Sequence, residues 1–176
     1  FRREALRRMI SELQPTAIRG NYSEIHALLA GTDTGTGVDA VVDAAHPALS
    51  GDALAHGMQN YLRTLAFPMI LVASGREDIV ASRDALCFVE NGSPRMSRVT
   101  GTGCMATELL AAFLAVASGE AAFHAAVLAT AFMGIAGEIA EETAPRGSGS
   151  YHIALIDALS TMTAEDIAGR ISVGEA

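Results

Sequence analysis

Three short stretches hold residue types able to do chemistry. The first is Thr100-Gly101-Thr102-Gly103-Cys104, just ahead of an apolar run. Glycines there let backbone N–H groups point at one concave spot, and a helix opening at this point adds about half a positive charge. Together they make an anion site suited to phosphate. Cys104 stands in that field, and a cysteine accepts a proton only where its surroundings favour the thiolate. The same residues would also serve as a plain glycine turn beside a buried cysteine, because short glycine motifs often match by chance. No Lys-Ser/Thr pair follows, which excludes a Walker loop, and the third glycine of a dinucleotide fingerprint is missing.

The second stretch is Arg19-Gly20-Asn21-Tyr22-Ser23-Glu24, directly after a strand candidate at Thr16-Ala17-Ile18. Asn21 and Glu24 are three apart, so they share a helical face. A carboxylate there would hold Mg²⁺ through water, since hard cations prefer oxygen, and Arg19 would meet a phosphate. The plain alternative is a capping box that starts a helix. The third stretch, Arg146-Gly147-Ser148-Gly149-Ser150-Tyr151 ahead of Asp157-Ala158-Leu159, has a flexible loop and a capped helix as its default reading.

The elements that must position these residues alternate between strand and helix. Helical spacing covers Arg2 to Leu13, Asn21 to a stop at Gly31, Gly51 to Leu65, Cys104 to Ala117, Glu120 to Thr143, Tyr151 to Leu159 and Ala164 to Ile171. A further helix is expected over Asp39 to Ala45, after a Gly/Thr loop from Thr32 to Val38. Met69 to Ala73 is an unbroken apolar run suited to a buried parallel strand. Asp78-Ile79-Val80 and Ala85 to Val89 suggest a hairpin turning at Ser82-Arg83-Asp84. This alternation argues an α/β sandwich.

At 176 residues, the chain has the length of one domain. With 50% hydrophobic and 18% charged residues, intrinsic disorder is excluded. A formal net charge of -8 argues against nucleic acid as a partner. Two cysteines, Cys87 and Cys104, are too few for a disulfide framework, which fits a reducing, cytoplasmic setting. The apolar stretches Gly103–Ala117 and Ala121–Ala140 carry Glu108, His124, Gly134, Gly137 and Glu138, and read as buried helices rather than membrane spans. Met58, Met133 and Cys87 read as core filler, and Glu138, Glu141 and Glu142 as a solvated face. A cysteine hydrolase would need a histidine base, and His26, His46, His56, His124 and His152 stand in no recognisable motif.

Taken in order, the three stretches resemble the hydroxyethylthiazole kinases of thiamine salvage. The likeness is carried by Arg19-Gly20-Asn21 with Glu24, Gly37-Val38-Asp39, Ala73-Ser74-Gly75, Val99 to Cys104 with Met105, and Gly147 to Ser150 ahead of Asp157-Ala158-Leu159. It runs from near Phe1 to near Asp166. Most ribokinase-like small-molecule kinases end the glycine motif in Asp, and cysteine marks this branch. The resemblance implies a ribokinase-like three-layer α/β sandwich, a mostly parallel sheet with helices on both faces, filling residues 1–176 as a single domain. It implies transfer of the ATP γ-phosphate to the primary alcohol of hydroxyethylthiazole with Mg²⁺, in a homotrimer with active sites between subunits.

Carried over by residue, Cys104 takes the place of the catalytic base, and Gly101, Thr102 and Gly103 that of the anion hole. Gly101 also falls at the substrate-contacting glycine. Arg19 matches an ATP-phosphate contact. Asn21 and Glu24 match the Asn-x-x-Glu that organises Mg²⁺, Glu24 as the metal carboxylate and Asn21 on the ATP side. Ser74 falls where many members have a threonine that contacts ATP. Chains of the family begin well before the segment matching Phe1, so the resemblance implies a C-terminal portion, completed by a chain carrying the N-terminal part. The alternative is a non-catalytic nucleotide- or phosphate-binding remnant of the same fold.

Overall fold

The computed structural model describes residues 2–30, 51–144 and 146–175. The expected stop at Gly31, the Thr32–Val38 loop, the Asp39–Ala45 helix and the Gly37-Val38-Asp39 motif lie outside the described residues. The chain divides into two units, one of residues 1–88 with 175–176 and the other of residues 89–174.

The first unit opens with α1 (Arg2–Leu13), β1 (Ala17–Asn21) and α2 (Tyr22–Leu29). It continues with α3 (Gly51–Thr64), β2 (Ile70–Ser74), β3 (Asp78–Ala81) and β4 (Leu86–Val89). β1 and β2 pair in parallel, with Ala17 opposite Ile70 and Asn21 opposite Ser74. β2 and β3 pair antiparallel, with Leu71 opposite Ala81 and Ala73 opposite Ile79. β4 follows beside β3. The turn joining them closes through the Ser82 amide to the Ala85 carbonyl at 2.8 Å, at the expected place. The unbroken apolar run of β2 is buried throughout, as expected, although the strand is parallel only to β1 and antiparallel to β3. Ile25, Leu28 and Leu29 of α2, Leu54, Met58 and Leu62 of α3, and Ile10 of α1 pack into one core with Leu71, Ala73 and Ile79. Full burial of a Leu or Ile stabilises by roughly 1.5–3 kcal/mol, so a core of this size is what ties three helices to the strands.

The second unit holds a 3₁₀ helix (Pro94–Arg98), α4 (Thr102–Ala115), α5 (Glu120–Thr143), α6 (Ser148–Thr161), α7 (Ala164–Arg170) and β5 (Val173–Glu175). Ahead of β5, the Glu90 amide donates to the Ser172 carbonyl at 3.0 Å. The 3₁₀ helix and β5 are absent from the sequence expectations, being too short for a periodic signal. α6 starts three residues earlier than its expected start at Tyr151. Gly147, at φ 139, makes the sharp entry, and the Tyr151 amide already bonds the Gly147 carbonyl at 3.1 Å. α4 starts at Thr102, two residues before the expected Cys104, for the same reason at Gly101.

α5 is the axis of this unit. Its 24 residues are long and apolar enough to cross a membrane by length and composition, and half of its most apolar stretch is buried within the protein. Phe132 meets Phe113 of α4 with ring centroids 5.7 Å apart. Tyr151 of α6 is fully buried and donates its hydroxyl to the Gly137 carbonyl at 3.0 Å. Two helix glycines have a packing reason. A Cβ on Gly134 would stand 2.5 Å from the Asn91 carbonyl oxygen, and one on Gly137 would stand 2.5 Å from Met96 Sδ. That close approach offsets the roughly 1 kcal/mol that glycine costs within a helix.

Glu141 and Glu142 are exposed, as expected, and Glu138 is half-buried, but all three are held by specific partners. Glu138 Oε1 accepts from the Asn91 side-chain amide at 3.1 Å and from the Gly92 amide at 2.9 Å. Glu141 accepts from the Ser93 hydroxyl, and Glu142 takes a two-pronged bond from Arg170 at 2.7 and 3.0 Å. Asn91 in turn donates to the Arg170 carbonyl and accepts from the Ser172 amide. One buried amide thus joins its own segment to α5 and to the end of α7 and the residues after it. Met58, Met133 and Cys87 are core residues, as expected.

Gly134→Ala is expected to lower the unfolding free energy by about 1–3 kcal/mol, the usual cost of overpacking against rigid backbone. Denaturant melts of the variant check this, and an unchanged midpoint would show that Asn91 moves aside freely.

Candidate functional site

In the first unit, the parallel pairing brings polar strand ends together. Arg19 is the third of the five residues of β1, and Ser74 closes β2. The Arg19 guanidinium Nη2 donates to Ser74 Oγ at 2.7 Å, a contact between residues 55 apart in sequence. A hydroxyl that accepts retains its own proton to donate. An anion arriving here would meet a guanidinium and a hydroxyl side by side. The C-terminal ends of parallel strands are where open α/β sheets take ligands.

Asn21 and Glu24 adopt the capping box. Asn21 Oδ1 accepts the Glu24 amide at 2.8 Å, and Glu24 Oε2 accepts the Asn21 amide at 2.8 Å. Both side chains are exposed. The structural reading of this pair is therefore realised, and it engages Oε2 of the Glu24 carboxylate. The box starts α2 at the strand end and sets Tyr22 in its first turn.

Two residues that sequence spacing does not single out complete the group. Tyr22 donates its hydroxyl to the Glu77 carbonyl at 2.7 Å. Its ring lies flat where a side chain on Gly75 would be, 2.5 Å from a Cβ built there, so Gly75 is the residue that admits it. Asp78 Oδ1 accepts the Gly75 amide at 2.9 Å across the turn between β2 and β3. Burial pushes the Asp78 carboxyl up from 3.8 to about 6, against the opposing pull of the Gly75 amide and the Arg19 guanidinium. Burial, with the charges of Asp78, Glu77 and Asp52, pushes the Tyr22 phenol up to about 12. A carboxylate four residues after Ser74, across a glycine turn, is the signal that would have found Asp78.

In the second unit, the glycine motif opens α4. Gly101 caps the helix in the left-handed conformation, φ 99, with no side-chain cap. A residue with a Cβ would be strained there. Thr102 turns its hydroxyl back to the Met96 and Val99 carbonyls, both at 3.2 Å, which ties the turn to the preceding 3₁₀ helix. Its side chain is thus structural, and any part in an anion hole falls to its backbone. Cys104 is exposed in the first turn of α4. Exposure overturns the plain reading of a buried cysteine behind a glycine turn. The Gly147 turn is held by Arg95, which donates to the Gly147 carbonyl at 3.1 Å and lies over the Tyr151 ring, 4.6 Å from its centroid. Among the described residues, no three His, Cys, Asp or Glu side chains gather as a metal cage.

The model of the hydroxyethylthiazole kinase family matches residues 1–165. A hydroxyethylthiazole kinase of Clostridium beijerinckii is 36% identical over 168 residues, which cover 95% of this chain and 59% of that protein. One from Chloroflexus aurantiacus is 38% identical over 161 residues, covering 92% and 55%. The structure of a hydroxyethylthiazole kinase protein from Pyrococcus horikoshii OT3 superposes with a TM-score of 0.75 at 29% identity, over all of this chain and 60% of that one. The chain thus spans somewhat over half the length of the proteins it matches.

The Asp78 carboxyl gives a pH dependence of known sign. Below 3.8 it is neutral whether folded or unfolded; between there and about 6 the folded chain retains a proton that the unfolded chain releases. The stability contributed by neutral Asp78 is therefore lost as pH rises through about 6. Wild type is expected to lose stability relative to Asp78→Asn across that window in paired denaturant melts. A constant difference would mean that the Asp78 carboxyl is not shifted.

Proposed function

Because this chain belongs to the hydroxyethylthiazole kinase family, we propose that it serves in transferring the γ-phosphate of ATP to the primary alcohol of hydroxyethylthiazole. The observation that carries the reading is the bond from Arg19 of β1 to Ser74 at the end of β2. The family match runs through both units, which supports one α/β kinase domain.

Phosphoryl transfer asks for positioning and charge stabilisation more than for covalent help. Arg19 and Ser74 would bind ATP phosphate oxygens, with Asn21 beside them at the opening of α2. Gly101, Thr102 and Gly103 would act as the anion hole through the opening of α4, whose dipole needs no reorganisation as charge develops. Gly101, having no side chain, would also let the alcohol approach. Cys104, exposed in that first turn, would accept the hydroxyl proton. Glu24 would hold Mg²⁺ through water. A lone exposed carboxylate fits that role, because Mg²⁺ is usually bound by one or two carboxylates plus substrate phosphates rather than a protein cage. When bound, Mg²⁺ neutralises phosphate charge. The family likeness also supports a homotrimer, or an assembly with a chain carrying further segments, in the cytoplasm; sedimentation of the purified protein tests the assembly.

The assay combines the purified protein with ATP, Mg²⁺ and hydroxyethylthiazole, and follows the phosphate ester by mass. Ester formation supports the reading, and ATP binding with no ester from any small alcohol would sink it. Cys104→Ala is expected to lower turnover by about 10²–10⁴, the usual worth of a general base. Its stability should stay within about 0.5 kcal/mol, since the side chain is exposed. Equal loss of both would make Cys104 structural. Arg19→Ala is expected to raise the KM for ATP by about tenfold or more, the worth of a charged hydrogen bond. An unchanged KM would remove Arg19 from the nucleotide.

A further inference from the structure

We propose that Asp78 is a positioning residue for the nucleotide contacts: it pins the turn that follows Ser74 through the Gly75 amide. The proposal rests on the reading of Arg19 and Ser74 as nucleotide contacts. Asp78 is the first residue of β3, a place where Asp is disfavoured by the strand and where partial burial makes its charge costly. Something must compensate, and the structure shows what. The Gly75 amide donates to Oδ1 at 2.9 Å, and the Arg19 guanidinium acts on the carboxyl from β1.

The turn it holds is short and glycine-centred. Ser74 ends β2 and Asp78 starts β3, so only Gly75, Arg76 and Glu77 lie between. Tyr22 closes the same turn from α2, with its ring against Gly75 and its hydroxyl on the Glu77 carbonyl. The turn is thus fixed at one end by Asp78 and at the other by Tyr22. Its fixed position determines where Ser74 Oγ sits, and Ser74 Oγ receives Arg19 Nη2 at 2.7 Å. Loss of the Asp78 carboxylate would free the Gly75 amide and remove a charge that interacts electrostatically with Arg19. Both proposed phosphate contacts would then sample other orientations, and order lost before binding must be restored on binding.

The test compares wild type, Asp78→Asn and Asp78→Ala as full chains, with Arg19→Ala as reference. Hydrogen exchange at the Gly75 amide and calorimetric affinity for ATP with Mg²⁺ are read together. Asp78→Ala is expected to speed Gly75 exchange and weaken ATP binding, each by up to about tenfold, the worth of one net hydrogen bond. Asn retains an acceptor oxygen, so Asp78→Asn is expected to preserve Gly75 protection and to bind ATP with intermediate affinity. It also keeps the test open if the alanine variant fails to fold. Unchanged Gly75 exchange in Asp78→Ala overturns the proposal. So does unchanged ATP affinity in Asp78→Ala while Arg19→Ala weakens binding. If Arg19→Ala is also without effect, the nucleotide reading falls, and the proposal with it.

Discussion

Parallel pairing of β1 with β2 is the constraint from which the first unit's chemistry follows. Its register sets Asn21 opposite Ser74, so the two strands end together and their polar last residues share one edge. Sliding the pair by a single residue would exchange the faces of every side chain, which would bury Arg19 or turn Ser74 away from it. The register is protected by the apolar body of β2, where Ile70 to Ala73 are buried and cannot be shifted toward water without loss of core. The core that stabilises the fold thereby also places the guanidinium on the hydroxyl. The capping box has a parallel role one residue later, because it turns the chain from strand to helix at Asn21 and so presents Tyr22 to the next turn.

The second unit reaches a comparable result by helix packing. Gly134 and Gly137 flatten one side of α5, so that Asn91 backbone and Met96 approach closely. The buried Asn91 then links its own segment to α5 and to the end of α7 and the residues after it. This fixes the 3₁₀ helix at Pro94–Arg98, from which the Thr102 hydroxyl is held. The opening of α4 is thus fixed by contacts that begin in the middle of α5. A helix start that carries a dipole and an exposed cysteine is of use for catalysis only when it is held in place this way, since misplacement of a reacting group by an ångström is costly.

Much of this was legible in the residues. The bounds of α1 and α5 follow from apolar spacing, and the Asn21–Glu24 box from its pattern, because these are local signals within one helix. The Thr-Gly-Thr-Gly-Cys motif marked the opening of α4, although its start was placed two residues late, because a left-handed glycine lets the helix begin sooner than the apolar run does. The Arg19–Ser74 bond was not legible from spacing alone. It joins residues 55 apart, and only strand register brings them together. Asp78 and the Gly75–Tyr22 contact were hidden for the same reason. The solvent-facing carboxylates at the end of α5 gave no sign of their partners, because charge at a helix end has no local mark of the distant Asn91, Ser93 and Arg170.

The central claim is that Arg19 and Ser74 act as one unit on an anionic nucleotide. A double-mutant cycle tests it most directly, with the affinity for ATP and Mg²⁺ measured on wild type, Arg19→Ala, Ser74→Ala and the double variant. Hydrogen-bonded neighbours couple, whereas independent sites add within about 0.3–0.5 kcal/mol. The account predicts that each single change weakens binding and that the double change costs clearly less than the two together. Strict additivity, or affinity unchanged by all three variants, would contradict it.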